Sequence, residues 1–339
     1  MVSNHRQQIS KSKNRYTSNI PPKILSPSCN YFISSCVLFS YFIPAVKIEI
    51  RGLSKVYPNG NQALKDINLT IENGMFGLLG PNGAGKSSLI RILVTLLTPT
   101  SGNVSVNGYD LMKDRGEIRK MLGYLPQDFR FFTKLKTWEF LDYAAGLSGM
   151  RLKSLRREKV DEWLEKVGLF DARDRQANNL SGGMKRRLGI AQALIGNPRI
   201  IIVDEPTTGL DPEERIRFRN ILSELSQQDI IILLSTHIVG DISSVCRELA
   251  LLNEGMLRFN GSPEKLIETA RGHVWQVQTA GVEYDILKEK YAVTSTIPSE
   301  DGWEIQLVGD KIDLPSAVSI EPNLEHAYVY YMDSLTELS

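Results

Sequence analysis

Cysteine is scarce and scattered in this chain. Cys29, Cys36 and Cys246 are the only three in 339 residues, and no two form a Cys-x-x-Cys pair. That excludes a zinc-finger spacing and a disulfide framework, and it suits a reducing compartment. Long apolar runs are also missing. No stretch reaches the ~20 residues that a membrane-spanning helix needs. Charge of one sign is not in excess: 40 Lys and Arg against 39 Asp and Glu leave a formal net charge of +1. A basic surface for nucleic acid therefore has no compositional support, and no nucleic-acid partner is expected. There is no internal repeat and no low-complexity tract. With 42% hydrophobic and 23% charged residues, the composition is that of a globular protein with room for one large domain and a smaller one.

The first 46 residues read as an extension. Residues 1–30 are polar and basic, and Tyr31 to Val46 is apolar but broken by Ser34, Ser35, Ser40 and Pro44. A basic stretch before a short apolar one imitates a secretory signal or a surface anchor. A poorly ordered extension is the expectation. Alternation from Val46 to Arg51 marks the first strand.

The most informative segment is Gly80, Pro81, Asn82, Gly83, Ala84, Gly85, Lys86 and Ser87, a Gly-x4-Gly-Lys-Ser loop. The apolar run Met75–Leu79 precedes it and Leu89–Leu93 follows. Strand, glycine loop, helix is the order in which this pattern means a phosphate cradle. Glycines let backbone N–H groups converge on phosphate oxygens, and the helix N-terminus adds partial positive charge. Lys86 can reach the β- and γ-phosphates, and the Ser87 hydroxyl can ligate Mg²⁺.

Downstream, Ile200–Val203 is a β-branched run of the kind a fully buried parallel strand shows, and Asp204-Glu205 follows it. Acidic residues at the C-terminal end of such a strand point into the crevice where α/β sheets bind ligands. Asp204 is placed to hold Mg²⁺ and Glu205 to polarise an attacking water. Leu180, Ser181, Gly182, Gly183 and Met184 open a helix, with Ser181 as N-cap and two glycines baring backbone N–H groups. This is a second anion site, and a single nucleotide has no use for both on one fold face unless one comes from another copy.

The remaining pattern is coarse. Strands and turns fill 47–80, the helix after the loop is expected to run to about Leu97, and Met121–Leu125 reads as a strand stopped by Pro126. Residues 128–199 turn helical, with Leu152, Leu155, Val160, Trp163, Leu164 and Val167 as one apolar stripe. Ile230–Leu234 is another buried strand. Beyond 265 the chain reads as a small α+β unit, with strands near 274–277 and 303–307 and a terminal helix over 322–332.

Gly80–Ser87, Gln127, Leu180–Gly183, Ile200–Glu205, Gly209-Leu-Asp211 and His237 together resemble ATP-binding cassette (ABC) transporter ATPases, in order and spacing, over about residues 47–265. The motif at 180–184 is the most specific of them. The resemblance implies an α/β P-loop NTPase fold: a RecA-like core, an antiparallel β subdomain, and a helical subdomain inserted over about 128–199. Residues 266–339 would form a small C-terminal α+β domain. It also implies ATP and Mg²⁺ as ligands. Tyr57 matches the aromatic residue on which adenine stacks, and Ser88 lies beside the loop in the binding set. Gln127 matches the sensor of metal and water, Asp211 the loop crossing a dimer seam, and His237 the γ-phosphate contact. Lys86, Glu205 and His237 would be the catalytic set, with Ser87, Gln127 and Asp204 around the metal. Met184 departs from the family pattern, which has glutamine there.

The partners implied are a second nucleotide-binding subunit (the same chain or a close paralogue) and a separate transmembrane permease. The chain would then sit at the cytoplasmic face of the cell membrane. The run Gly183–Gln192 looks most like exporter-type (ABC-2) drug or peptide efflux ATPases, with importer ATPases as the nearest alternative. A soluble, non-transport ABC ATPase is a further alternative. Those of ribosomes generally carry two cassettes and those of chromosomes long coiled coils, whereas this chain has one cassette and a short interval between the glycine loop and the motif at 180–184. Phe129, Phe131, Phe132 and Trp138 are expected either to line a permease dock or to pack in the core.

Overall fold

A computed structural model gives the fold. It describes residues 46–129, 134–207, 210–243, 245–310, 312, 314 and 316–337. The expected extension lies outside them except for Val46, which is fully buried and donates its N–H to Asn73 Oδ1 at 3.0 Å. Phe131, Phe132 and Gly209 also lie outside.

The chain opens on β1 (Ile48–Val56) and β2 (Gln62–Ile71), then β3 (Gly74–Leu79), the glycine loop and α1 (Lys86–Leu93). β4 (Ser101–Val106), β5 (Tyr109–Asp110) and α2 (Arg115–Met121) lead to β6 (Leu122–Leu125). The helical stretch holds α3 (Thr137–Leu147), α4 (Lys153–Lys166) and α5 (Gly182–Leu194). Next come β7 (Ile200–Asp204), α6 (Pro212–Leu225), β8 (Ile231–Thr236), α7 (Val239–Ser243), β9 (Glu248–Asn253), β10 (Met256–Gly261) and α8 (Pro263–Thr269). β11 (Val274–Thr279), α9 (Val282–Lys290), β12 (Ala292–Ser299), β13 (Gly302–Val308), β14 (Val318–Ser319) and α10 (Leu324–Glu337) follow.

Among the described residues three sheets form. The central one has the order β10-β9-β3-β8-β7-β6, with β9, β3, β8, β7 and β6 parallel and β10 antiparallel at one edge. Its inner strands β3, β7 and β8 are buried along their whole length because both faces are covered. Ile201, Val203, Ile232 and Leu234 pack with Leu188, Leu194 and Phe218 from α5 and α6. Their neighbours Ile200, Ile202, Ile231 and Leu233 pack with α1 and with Ile48, Ile50 and Leu64 of the first sheet. Each fully buried Ile or Leu contributes about 1.5–3 kcal/mol relative to exposure. This double burial makes the sheet a stiff base for the loops at its C-terminal ends. The first sheet, β2-β1-β4-β5, is wholly antiparallel, as is the third, β12-β13-β11-β14.

Several local expectations change. α1 stops at Leu93, short of Leu97, because Thr95 takes a left-handed φ of 63° and its Oγ1 accepts a hydrogen bond from Arg119 Nε at 2.6 Å. Met121 ends α2 rather than starting a strand. In α4 only Val160, Trp163 and Leu164 are buried; Leu152 and Leu155 are 64% and 54% exposed, since no described element covers the start of that stripe. Phe129 and Trp138 are partly buried against the core, Phe129 edge-on to Phe140 with ring centroids 6.0 Å apart.

The position after residue 265, read from sequence as a boundary, falls inside α8. Leu266 and Ala270 share one hydrophobic cluster with the ATPase layer and with Leu324 and Ala327 of α10. The described residues fall in one compact unit. His326, 4% exposed, helps seat α10. Its Nε2 lies 3.0 Å from Gln306 Oε1, and its Nδ1 accepts from the Asn323 N–H at 3.3 Å. This network assigns the proton to Nε2. Burial pushes the His326 pKa below its ordinary value, with Glu325 opposing. The folded state therefore binds fewer protons than the unfolded chain below about pH 6.5. Stability from this site is fully present above that pH and is lost as pH falls. Amide exchange in α10, corrected for intrinsic rates, should lose protection between pH 7.5 and 5.5 relative to β7. Equal protection at both pH values would refute this.

Candidate active site

Four loops meet at the C-terminal ends of β3, β6, β7 and β8, so the parallel sheet itself brings the distant motifs together. A cleft of about 520 Å³ is lined by Tyr57, Asn61, Ala63, Asn82, Gly83, Ala84, Gly85, Lys86, Ser87, Ser88, Gln127, Glu205 and His237. Gly80 and Pro81 form the root of the loop, where their carbonyls accept from Lys86 Nζ at 2.6 and 3.0 Å. Gly85 shows why the loop needs glycine: it has φ 105°, and a Cβ there would lie 2.4 Å from Ala63 O. The β9–β10 turn braces the same loop. Gly255 donates to Ala84 O at 3.0 Å and its carbonyl accepts from the Lys65 N–H at 2.7 Å.

Burial lowers the Lys86 pKa, and Glu205 and then Asp204 hold it up. Burial raises that of Asp204, with Glu205 adding and Ser235, Lys86 and Arg91 opposing. Lys86 and Asp204 are each 5% exposed. Two buried opposite charges beside a phosphate loop form a preorganised electrostatic site.

Glu205 is held from both sides. Gln127 Nε2 donates to its Oε2 at 3.0 Å, and His237 Nδ1 lies 3.2 Å from its Oε1. Its backbone has φ 45°, a left-handed conformation, and its N–H donates to Ser235 O at 2.9 Å. Arg186, from α5, donates to the carbonyls around it; burial pushes the Arg186 pKa down to about 10, with Asp204 and Glu205 opposing. A buried network tying the end of β7 to α7 lies behind the site: the Thr207 hydroxyl donates to Asp241 Oδ2, and Thr236 Oγ1 reaches the same oxygen at 3.4 Å.

The metal set expected from sequence passes a test of fit. Asp204 Oδ1 is buried without a hydrogen-bond partner, an unmet acceptor where a cation or its water is needed. One carboxylate with neutral side-chain oxygens suits Mg²⁺, which keeps several waters and takes phosphate oxygens. Among the described residues no group of three or more His, Cys, Asp or Glu could hold a metal.

The residues predicted to act on nucleotide thus divide in two. Tyr57, residues 82–87 of the loop, Ser88, Gln127, Glu205 and His237 line the cleft; Gly80, Pro81 and Asp204 do not, although Lys86 Nζ ties Gly80 and Pro81 to it. Ser181, Gly182, Gly183 and Asp211 do not line it. Ser181 caps α5, its Oγ accepting from the Met184 N–H at 3.3 Å, and Asp211 caps α6, accepting from the Glu214 N–H at 2.8 Å. Tyr57 is oriented by a 3.0 Å hydrogen bond between its OH and Ser88 Oγ. Asn61 and Ala63 are cleft residues that sequence reasoning does not single out. Their only signal is the turn after Tyr57, where the Tyr57 N–H donates to Asn61 O at 2.9 Å.

Residues 64–208 match the family described as ABC transporter. An uncharacterized ABC transporter ATP-binding protein of Nostoc sp. (strain PCC 7120) is 37% identical over 283 residues, 80% of this chain and 82% of that one. The Escherichia coli protein named "Probable multidrug ABC transporter ATP-binding protein YbhF" is 37% identical over 227 residues, covering 66% of this chain and 39% of that one. The dimeric post-hydrolysis structure of the ATP-binding cassette MJ0796, bound to ADP and Pi, superposes with a TM-score of 0.59 at 27% identity, over 63% of this chain and 98% of that one. With a phosphate loop, a buried acidic strand end and a glutamine–glutamate–histidine cluster on one sheet edge, the chain belongs to the ABC transporter ATP-binding proteins and is an ATPase.

Proposed function

We propose that this chain is the ATP-hydrolysing subunit of an ABC exporter, and that two copies, or a copy and a close paralogue, close around two ATP molecules. The observation that carries this reading is the division of the site: Ser181, Gly182, Gly183 and Asp211 lie outside the cleft lined by Tyr57, loop residues 82–87, Gln127, Glu205 and His237, with Ser181 and Asp211 capping helices instead. A second copy turned to face the first would bring Ser181 and Gly182 onto its neighbour's ATP. The MJ0796 cassette, whose structure is dimeric, supports this assembly.

In this reading Tyr57 stacks on adenine, the backbone of 80–87 cradles the phosphates, and Lys86 binds the β- and γ-phosphates. Ser87, Gln127 and Asp204 hold Mg²⁺, which when bound neutralises charge developing on the phosphate oxygens. Glu205, aligned by Gln127 and His237, orients and polarises the attacking water, and His237 contacts the γ-phosphate. Hydrolysis opens the dimer and so drives a separate membrane permease seated beside Gln127 at the cytoplasmic face. No helix among the described residues is long and apolar enough to cross a membrane, so cargo contacts are assigned to that permease. Export is favoured by the run Gly183–Gln192 and by the multidrug name of the E. coli relative.

Gly182→Asp tests the division. A Cβ at Gly182 meets nothing within 4 Å, and an acidic residue suits a helix N-terminus, so the fold should be untouched. ATP affinity of the single protomer should stay within about twofold, as for an ordinary surface change. ATP-dependent dimerisation and turnover should disappear, because the new carboxylate would face a γ-phosphate. A Gly182→Asp protein that dimerises normally would sink the reading.

A further inference from the structure

Arg186 occupies an unusual position for a charged side chain: all five of its N–H donors go to backbone carbonyls. Its guanidinium has five N–H groups. Nε donates to Pro206 O at 2.9 Å. Nη1 donates to Pro126 O at 3.2 Å and to Gln127 O at 3.0 Å. Nη2 donates to Asp204 O at 3.2 Å and to Glu205 O at 2.7 Å. The five acceptors belong to two chain segments, the one leaving β6 and the one leaving β7. Those segments carry Gln127 and Glu205, whose side chains are themselves hydrogen-bonded. The donor rides on α5, the helix capped by Ser181.

The geometry points to Arg186 as a positioning residue that locks Gln127 and Glu205 to the helix bearing Ser181, so that engagement of Ser181 by one nucleotide aligns the hydrolytic pair facing the other. The inference rests on the functional reading above and adds to it a physical link between the two ATP sites. A planar fork that meets two strand ends at once moves them as one body, and displacement of α5 shifts both carbonyl sets together. Glu205 needs such a clamp because its backbone is held in the left-handed region, which a glutamate adopts only under constraint. Lysine cannot replace the fork: it offers three donors from a single point. Arg187, the next residue, is engaged elsewhere, with Glu214 at 3.2 Å and the carbonyls of Val167 and Gly168.

The test compares full-length wild type, Arg186→Lys, Arg186→Ala and Glu205→Gln. Arg186→Lys should lower kcat roughly 10- to 100-fold, the scale of a misplaced catalytic group, while the KM for ATP stays within about threefold. The Hill coefficient for ATP should fall from about 2 toward about 1 as the sites uncouple. Millimolar guanidinium should restore turnover to Arg186→Ala, whereas methylammonium at equal ionic strength should not. An Arg186→Lys protein with wild-type kcat and Hill coefficient would overturn the proposal. So would parallel loss of kcat, ATP affinity and melting temperature without guanidinium rescue, or failure of both Arg186 variants to fold, since each makes the residue merely structural. An inactive wild type, or a fully active Glu205→Gln protein, would instead sink the functional reading and the proposal with it.

Discussion

Glu205→Gln should lower ATP turnover by about 10²–10⁴-fold, the usual contribution of a positioned general base, while leaving ATP binding intact. Glutamine keeps the size of the side chain and one carbonyl oxygen to accept from Gln127 Nε2, so the cluster is conserved in shape and loses only charge and basicity. Glu205 sits at the end of a fully buried strand with its side chain 11% exposed. Water reaching it would come from the nucleotide side of the cleft, which is where an attacking molecule has to stand. With hydrolysis blocked and binding preserved, ATP-loaded dimers should accumulate, and size-exclusion chromatography with ATP and magnesium should resolve them from monomers. Turnover at the wild-type rate would remove Glu205 from the mechanism. Monomers alone at high protein concentration would remove the paired assembly.

Lys86→Ala is expected to act on affinity instead. A charged hydrogen bond contributes about 1.5–3 kcal/mol, so ATP binding should weaken roughly 10- to 150-fold. Lys86 donates to the Gly80 and Pro81 carbonyls, and that arrangement keeps the ammonium at the loop's root, poised to swing onto phosphate. Removing it also strips Asp204 of a nearby positive charge, so the remaining site repels a polyanion more strongly. Equilibrium titration with a fluorescent ATP analogue measures the effect directly. Unchanged affinity would show that the backbone N–H groups of the loop bind phosphate without help from Lys86.

The two variants rest on residues that the sequence displays openly, because their chemistry demands a given residue type at a given place in the chain. A lysine after a glycine, and an acidic pair after a β-branched run, can be read without coordinates. The core strands are legible for the same reason: Ile200–Val203 and Ile231–Leu234 lack polar positions, and only a sheet covered on both faces tolerates that. What stays hidden depends on backbone rather than residue type. Asn61 and Ala63 line the cleft because the β1–β2 turn and the start of β2 carry them there. Arg186 is invisible as a clamp because its five acceptors are carbonyls, which every residue has. Leu152 and Leu155 fit the helical period of α4 yet remain exposed, since periodicity names a face but not whether anything covers it.

The Gly255 turn closes against the underside of the phosphate loop while contributing no atom to the cleft lining. Any Cβ at that position would press to 2.8 Å from Ala63 O, the same carbonyl that a Cβ at Gly85 would meet at 2.4 Å. One carbonyl thus sets the side-chain limit at two glycines of different turns. Freedom to mutate is therefore as narrow at this outlying hairpin as in the loop it props, and distance from the chemistry is no guide to tolerance.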